Sequence, residues 1–250
     1  VSDDGIATGY HAHVDQPLGK DIIIFDQGGY GSMPALIGRD FNHRQIWLGN
    51  QGTYLELDAA LWGLVRTLGR TYKELISEGD LAHLSLAQGC HGEVQIKFAG
   101  TSLTPEEWLA LLLREARNAV VSQMGALVFD VILIHEASLD LQQQEDLRRA
   151  AQLVGWQVQR LVRQSIAAAM GFLWRYHPKR KGMSWLDCVP KSHRSKSLRG
   201  SQRLLVAYIG RGGSELAQVE LMDEDGVEVL WVESDPDAGV HQLDHLFAQH

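Results

Sequence analysis

Residues 103–171 read LTPEEWLALLLREARNAVVSQMGALVFDVILIHEASLDLQQQEDLRRAAQLVGWQVQRLVRQSIAAAMG, and their punctuation divides them into alternating helices and strands. Thr104-Pro105-Glu106-Glu107 predicts a helix start. The Thr hydroxyl accepts an orphan amide, Glu107 reaches back to the cap, and Pro105 takes the first helical position, where no N–H is needed. This helix is expected to run to about Met124. Residues 127–134 are nearly continuously apolar, as for a central strand covered on both faces. Asp140 is placed to cap a second helix, whose Leu147, Ala150, Ala151 and Val154 form one face before Gly155 stops it. Residues 156–162 predict a further strand. Ser165 is expected to cap the small-residue helix 166–171, which can approach a neighbouring backbone closely.

Working outward, residues 21–25 form a short apolar run ending in Gly28-Gly29, the pattern of a buried strand and turn. Leu57, Leu61, Leu64, Leu68, Tyr72 and Leu75 recur at three- and four-residue steps and predict one helix across residues 55–76, weakened by Gly63 and Gly69. Residues 91–98 alternate through Val94, Ile96 and Phe98 as a half-buried strand ended by Ala99-Gly100. Downstream, residues 204–209, 215–222 and 227–233 predict three strands. Gly210-Arg211-Gly212-Gly213 and Asp223-Glu224-Asp225-Gly226 turn between them, making a meander. A last helix is expected from about Val240. Together these elements indicate an α/β mixed-sheet fold and not a bundle or a sandwich.

The chain has 250 residues and 45% hydrophobic content, enough to build a core, and a formal charge of −8. The charge is uneven: nine basic residues against Asp187 make residues 175–203 +8, leaving −16 for the remainder. With Pro178, Gly182, Pro190, Gly200 and five serines, this stretch predicts a long basic loop. Its Arg175, Lys179, Arg180, Lys181, Arg194, Lys196 and Arg199 are the candidate partner contacts. The bland alternative is an insertion that docks on the acidic body of its own chain. No apolar run approaches the roughly 20 residues of a membrane span, so no membrane partner is expected. Val1-Ser2-Asp3-Asp4 shows no signal-peptide pattern, and Cys90 and Cys188 cannot build a disulfide framework. A cytoplasmic location follows as the expectation.

The order of motifs resembles the nucleotide-binding domain of DnaK-type (seventy-kilodalton heat-shock) chaperones, with an actin-like, ribonuclease-H-like fold. Residues 103–107 resemble that family's helix start. Val131-Ile132-Leu133-Ile134-His135-Glu136-Ala137 stands where the family has a strand ending in V-P-A, and residues 140–155 resemble its N-D-x-Q-R helix ending in A-G. Arg163-Gln164-Ser165-Ile166-Ala167-Ala168-Ala169 resembles N-E-P-T-A-A-A. Residues 29–37 resemble G-x-R-x-T-P-S-V-V, Leu48-Gly49 resembles V-G, and residues 66–72, with Leu68-Gly69-Arg70, resemble R-L-I-G-R-R-F. Gly210 and Gly212 are similar to the second phosphate loop. The resemblance implies a first lobe over residues 1–174 with a small subdomain inserted around 30–103, the basic loop 175–203, and an incomplete second lobe over 204–250.

The departures bear on activity. The first phosphate loop, D-L-G-T-T in the family, has its nearest match in Asp3-Asp4-Gly5-Ile6-Ala7, without the hydroxyls. Val65 stands where the family has its catalytic lysine, and an aliphatic side chain cannot polarise water or phosphate. Gln164 replaces the glutamate of N-E-P-T and removes a carboxylate from the magnesium shell. Tyr208 replaces the Asp of D-L-G-G-G-T, and Arg211 its middle Gly. Phosphoryl transfer is positioning plus metal-assisted electrostatics, so joint loss argues against hydrolysis. Asp3, Gly5, Gly210, Arg211, Gly212 and Gly213 remain as vestigial nucleotide-binding positions, with no catalytic or metal residues and no cofactor expected.

Other constellations read more plainly. A Gly-rich turn at 210–213 offers backbone amides to an anion, though most such segments are turns only. His11 with His13, and His241 with His245, have metal-compatible spacing but no matching Cys or carboxylate cluster, and read as surface histidines. Cys90 beside His91 suggests a nucleophile pair, but neighbours in a strand point to opposite faces, so a structural thiol is expected. The favoured reading is a catalytically silent DnaK-like protein that binds another protein or a second copy of itself, as an assembly factor, regulator or subunit. One rival is an ATP-dependent chaperone fragment completed by a partner chain, which alone would require ATP and magnesium. The other, not favoured, is a nucleic-acid contact through the basic loop.

Overall fold

A computed structural model of the chain describes residues 8–11, 21–24, 33–40, 45–49, 60–77, 81, 83–176, 202–210, 213–221, 227–235 and 238–240. It divides into two units, Val1–Leu133 with Leu139–Leu161, and Ile134–Ser138 with Val162–His250. No described helix is long and apolar enough to cross a membrane.

Unit 1 is organised around α3 (Pro105–Met124). The capping box forms as expected, with Glu107 N–H donating to Thr104 Oγ1 at 3.3 Å and Thr104 N–H donating to Glu107 Oε2 at 2.9 Å. At the other end Gly125 adopts φ 67° and donates its N–H to Val121 O, a left-handed stop that glycine enters without steric cost. Trp108, Leu109, Leu112 and Leu113 lie on the buried face. They share one core with Ile96 of the antiparallel sheet β6 (Leu86–Gln88), β7 (Val94–Phe98) and β8 (Thr101–Leu103). Trp108 Nε1 donates to Ile96 O at 2.9 Å, and Phe98 meets the indole edge-on, so the polar end of this buried ring is satisfied.

Two further sheets complete the amino-terminal part of the unit. The strands β1 (Thr8–His11) and β2 (Asp21–Ile24) form a hairpin, and β3 (Ile37–Asp40) lies between β4 (Gln45–Leu48) and β5 (Ala60–Leu61). The single helix expected over residues 55–76 does not form. Its place holds β5, α1 (Leu64–Thr67) and α2 (Tyr72–Ser77), because Gly63 and Gly69 both adopt left-handed φ, 73° and 65°. Leu61, Leu64, Leu68 and Leu75 are nevertheless all buried, so the period marks burial correctly although the backbone breaks between them. Gly69 is required by more than φ. Its N–H donates to Asp146 Oδ2 at 2.9 Å, and a Cβ there would sit 2.8 Å from Gln143 N.

The segment β9 (Asp130–His135), α4 (Leu141–Leu153) and β10 (Gln157–Arg163) follows, with β9 paired to β10 and the boundary between the units falling in both strands. Asp140 caps α4 as expected, and Gln143 completes a reciprocal box. Leu147, Ala150, Ala151 and Val154 are buried, and Gly155 has φ 82°. The expectation of a strand covered on both faces fails. Leu133 and His135 point inward, whereas Ile132 and Ile134 are 63% and 43% exposed, because side chains alternate and one face alone is covered by the core.

Unit 2 contains α5 (Gln164–Tyr176) and an antiparallel meander of β11 (Gln202–Ile209), β12 (Ser214–Leu221) and β13 (Val227–Asp235), in the order β11-β12-β13. The predicted meander is therefore present. Ala169 packs on Ala217 and Val219, flanked by Leu204, Val206, Val229 and Val232. Small residues at the contact let helix and sheet approach. A register shift beside Gln218 and Val219 leaves Leu230 unpaired as a bulge. Two expectations are corrected. Helix α5 starts at Gln164, so Ser165 lies inside its first turn, and its buried Oγ has no hydrogen-bond partner. Arg175 lies in α5 and Arg203 in β11, so the two ends of the expected basic loop belong to regular elements, and residues 177–201 between them lie outside the described set. The helix expected from Val240 lies, beyond that residue, outside the described set.

Candidate functional site

Along β12 the residues Glu215, Ala217 and Val219 share the inward phase of the strand. Ala217 and Val219 meet α5, but Glu215, only 3% exposed, takes a carboxylate into the same interior. A buried charge persists only with donors around it. Ala137 N–H donates to Glu215 Oε2 at 3.0 Å, and Gln164 Nε2 donates to the same oxygen at 3.2 Å. The other oxygen, Oε1, is buried without a partner. These groups line an open, shallow concavity, whose wall includes Glu136, Gln164, Tyr208, Glu215, Ser234 and Asp235.

His135, also buried, stands one residue before this wall. Its Nδ1 lies 2.7 Å from Glu136 O, and because a carbonyl can only accept, Nδ1 carries the hydrogen. Burial pulls the imidazole below its ordinary value of 6.5, opposed by the bond to Glu136 and by Glu215, and helped by Arg163. The ring is therefore neutral at pH 7 and serves as a donor.

The structure brings together three of the positions singled out by sequence. Gln164, Tyr208 and Gly213 all line the concavity. Gly210 donates its N–H to Gly213 O at 2.8 Å, and its carbonyl accepts from Val240 N–H at 2.9 Å, so that amide is spent on closing the turn. Val65 is elsewhere. It is buried in the core of unit 1 between Leu64 and Leu68, where a lysine would have to carry its ammonium into apolar surroundings. Asp3, Gly5, Arg211, Gly212, Lys179, Arg180, Lys181, Arg194, Lys196 and Arg199 lie outside the described residues, as do His13, His241 and His245. Arg175 is on α5, and His11 on β1.

Cys90 and His91 require correction. They sit in the turn between β6 and β7, closed by Gly92 N–H donating to Gly89 O, so strand alternation does not separate them. Cys90 is exposed and free, not a packed structural thiol. The residue that sequence reasoning missed is Glu215. Its signal is positional: an acid in phase with the buried Ala217 and Val219 of an alternating strand.

A nucleotide with its magnesium is what the architecture would ordinarily imply, and the described residues do not fit it. Gln164 offers the position an amide donor aimed at Glu215, where a metal shell would want a carboxylate. Tyr208 contributes no charge, and the Gly210 amide is not available to phosphate. Among the described residues no group of three or more His, Cys, Asp or Glu is arranged to hold a metal ion.

A mixed α/β chain of several small sheets, with helices α3 and α4 ahead of β10 and a helix leading into an antiparallel meander, has the actin-like fold. The family model described as Hsp70 protein matches residues 18–248, and the chain belongs to the Hsp70 family. It is 24% identical over 229 residues to the chaperone protein DnaK of Deinococcus deserti, covering 91% of this chain and 33% of that protein. It is 29% identical over 157 residues to the DnaK of Deinococcus radiodurans, covering 62% and 25%. Against a DnaK of Thermus thermophilus the identity is 23% over 236 residues, covering 91% and 33%. The chain thus spans about a third of the length of curated relatives it matches. The resemblance drawn from residues 103–171 and their flanks is borne out.

Proposed function

We propose that this chain is a catalytically silent DnaK-like domain that acts by binding another protein or a second copy of itself, as an assembly factor, regulator or complex subunit in the cytoplasm. The observation that carries the reading is Gln164. At the position where the family resemblance expects a metal-shell glutamate, its carboxamide donates to Glu215 Oε2. A glutamate there would set a second carboxylate directly against Glu215, whereas the amide donates to it and adds no charge. Tyr208 and Val65 support the same reading, since neither replaces the charge that phosphoryl transfer needs.

Calorimetric titration with ATP and magnesium tests it directly. No saturable heat and no phosphate release are expected. Micromolar binding with turnover that Asp3→Ala abolishes would overturn the proposal. In solution the chain should be found as a homodimer or in a fixed hetero-complex. A chain that stays strictly monomeric and retains no protein from its native extract would count against the binding role.

A further inference from the structure

We draw no further inference here: the strongest candidate, the outward face of the β11–β13 meander with Leu205, Ile209, Leu216 and Trp231 exposed on it, is an apolar surface patch, and nothing in the structure shows what covers it.

Discussion

The two units bury different kinds of side chain. Unit 1 closes over large apolar groups, with Ile37, Leu68, Ile96, Trp108, Leu112, Leu113 and Leu147 at or near zero exposure. Among the described residues, the buried apolar cluster of unit 2 is Ala169, Ala217 and Val219, and the strand of the latter two adds the carboxylate of Glu215. Apolar area stabilises in proportion to what is removed from water, so unit 1 draws its stability from bulk. Among the described residues, unit 2 buries smaller apolar side chains, and beside them lies a polar centre whose energy depends on hydrogen bonds and protonation.

Mutations sharpen that contrast. The largest effect is expected for Trp108→Ala, which empties the centre of unit 1 and removes the indole's hydrogen bond to Ile96 O. About 3–5 kcal/mol should be lost in urea unfolding followed by far-UV circular dichroism. A loss under 1 kcal/mol would break the claim that unit 1 is held by its large side chains. Gly69→Ala comes next, at roughly 2 kcal/mol, because alanine must adopt a left-handed φ and its Cβ meets the backbone of Gln143 at 2.8 Å. Full stability of that variant would mean that α1 and α2 are not held apart as described.

The smallest effect is a pH dependence belonging to unit 2. His135 titrates below its ordinary 6.5 in the folded chain, so the unfolded state binds its proton first as pH falls. Its contribution is whole above about pH 6.5 and is lost progressively as pH drops toward the folded value. His135→Gln should flatten that part of the stability profile while leaving stability near pH 8 little changed. An unaltered slope between pH 6.5 and 5 would show that burial of this ring is not what unit 2 senses.

Some of the fold was legible because its determinants are local. Thr104 and Asp140 cap helices through residues three positions away, and α3 ends at Met124 as expected because Gly125 follows. The meander was legible from alternation and turns. The helix expected over residues 55–76 was not, because apolar period reports which side chains are buried and not whether the backbone between them is continuous. Gly63 and Gly69 break it, and Asp146, distant in sequence, holds the Gly69 amide. Ser165 had the chemistry of a cap, but the helix begins one residue earlier. At the site, Gln164 and Tyr208 were legible as departures from a resemblance, while Glu215 was passed over because acids on strands usually face solvent.

The amino-acid sequence by itself determined the family, the helix boundaries at Thr104, Met124 and Asp140, the three-stranded meander, and the absence of the expected charges at Val65, Gln164 and Tyr208. Those properties depend on residue identity and on neighbours a few positions away. The tertiary structure alone decided that Val65 belongs to the core of unit 1, that β9 is covered on one face, and that Gln164 and Ala137 converge on Glu215. Convergence of that kind is a long-range pairing of polar groups. It becomes costly or favourable only after the chain has removed them from water, and no periodicity along the sequence records it.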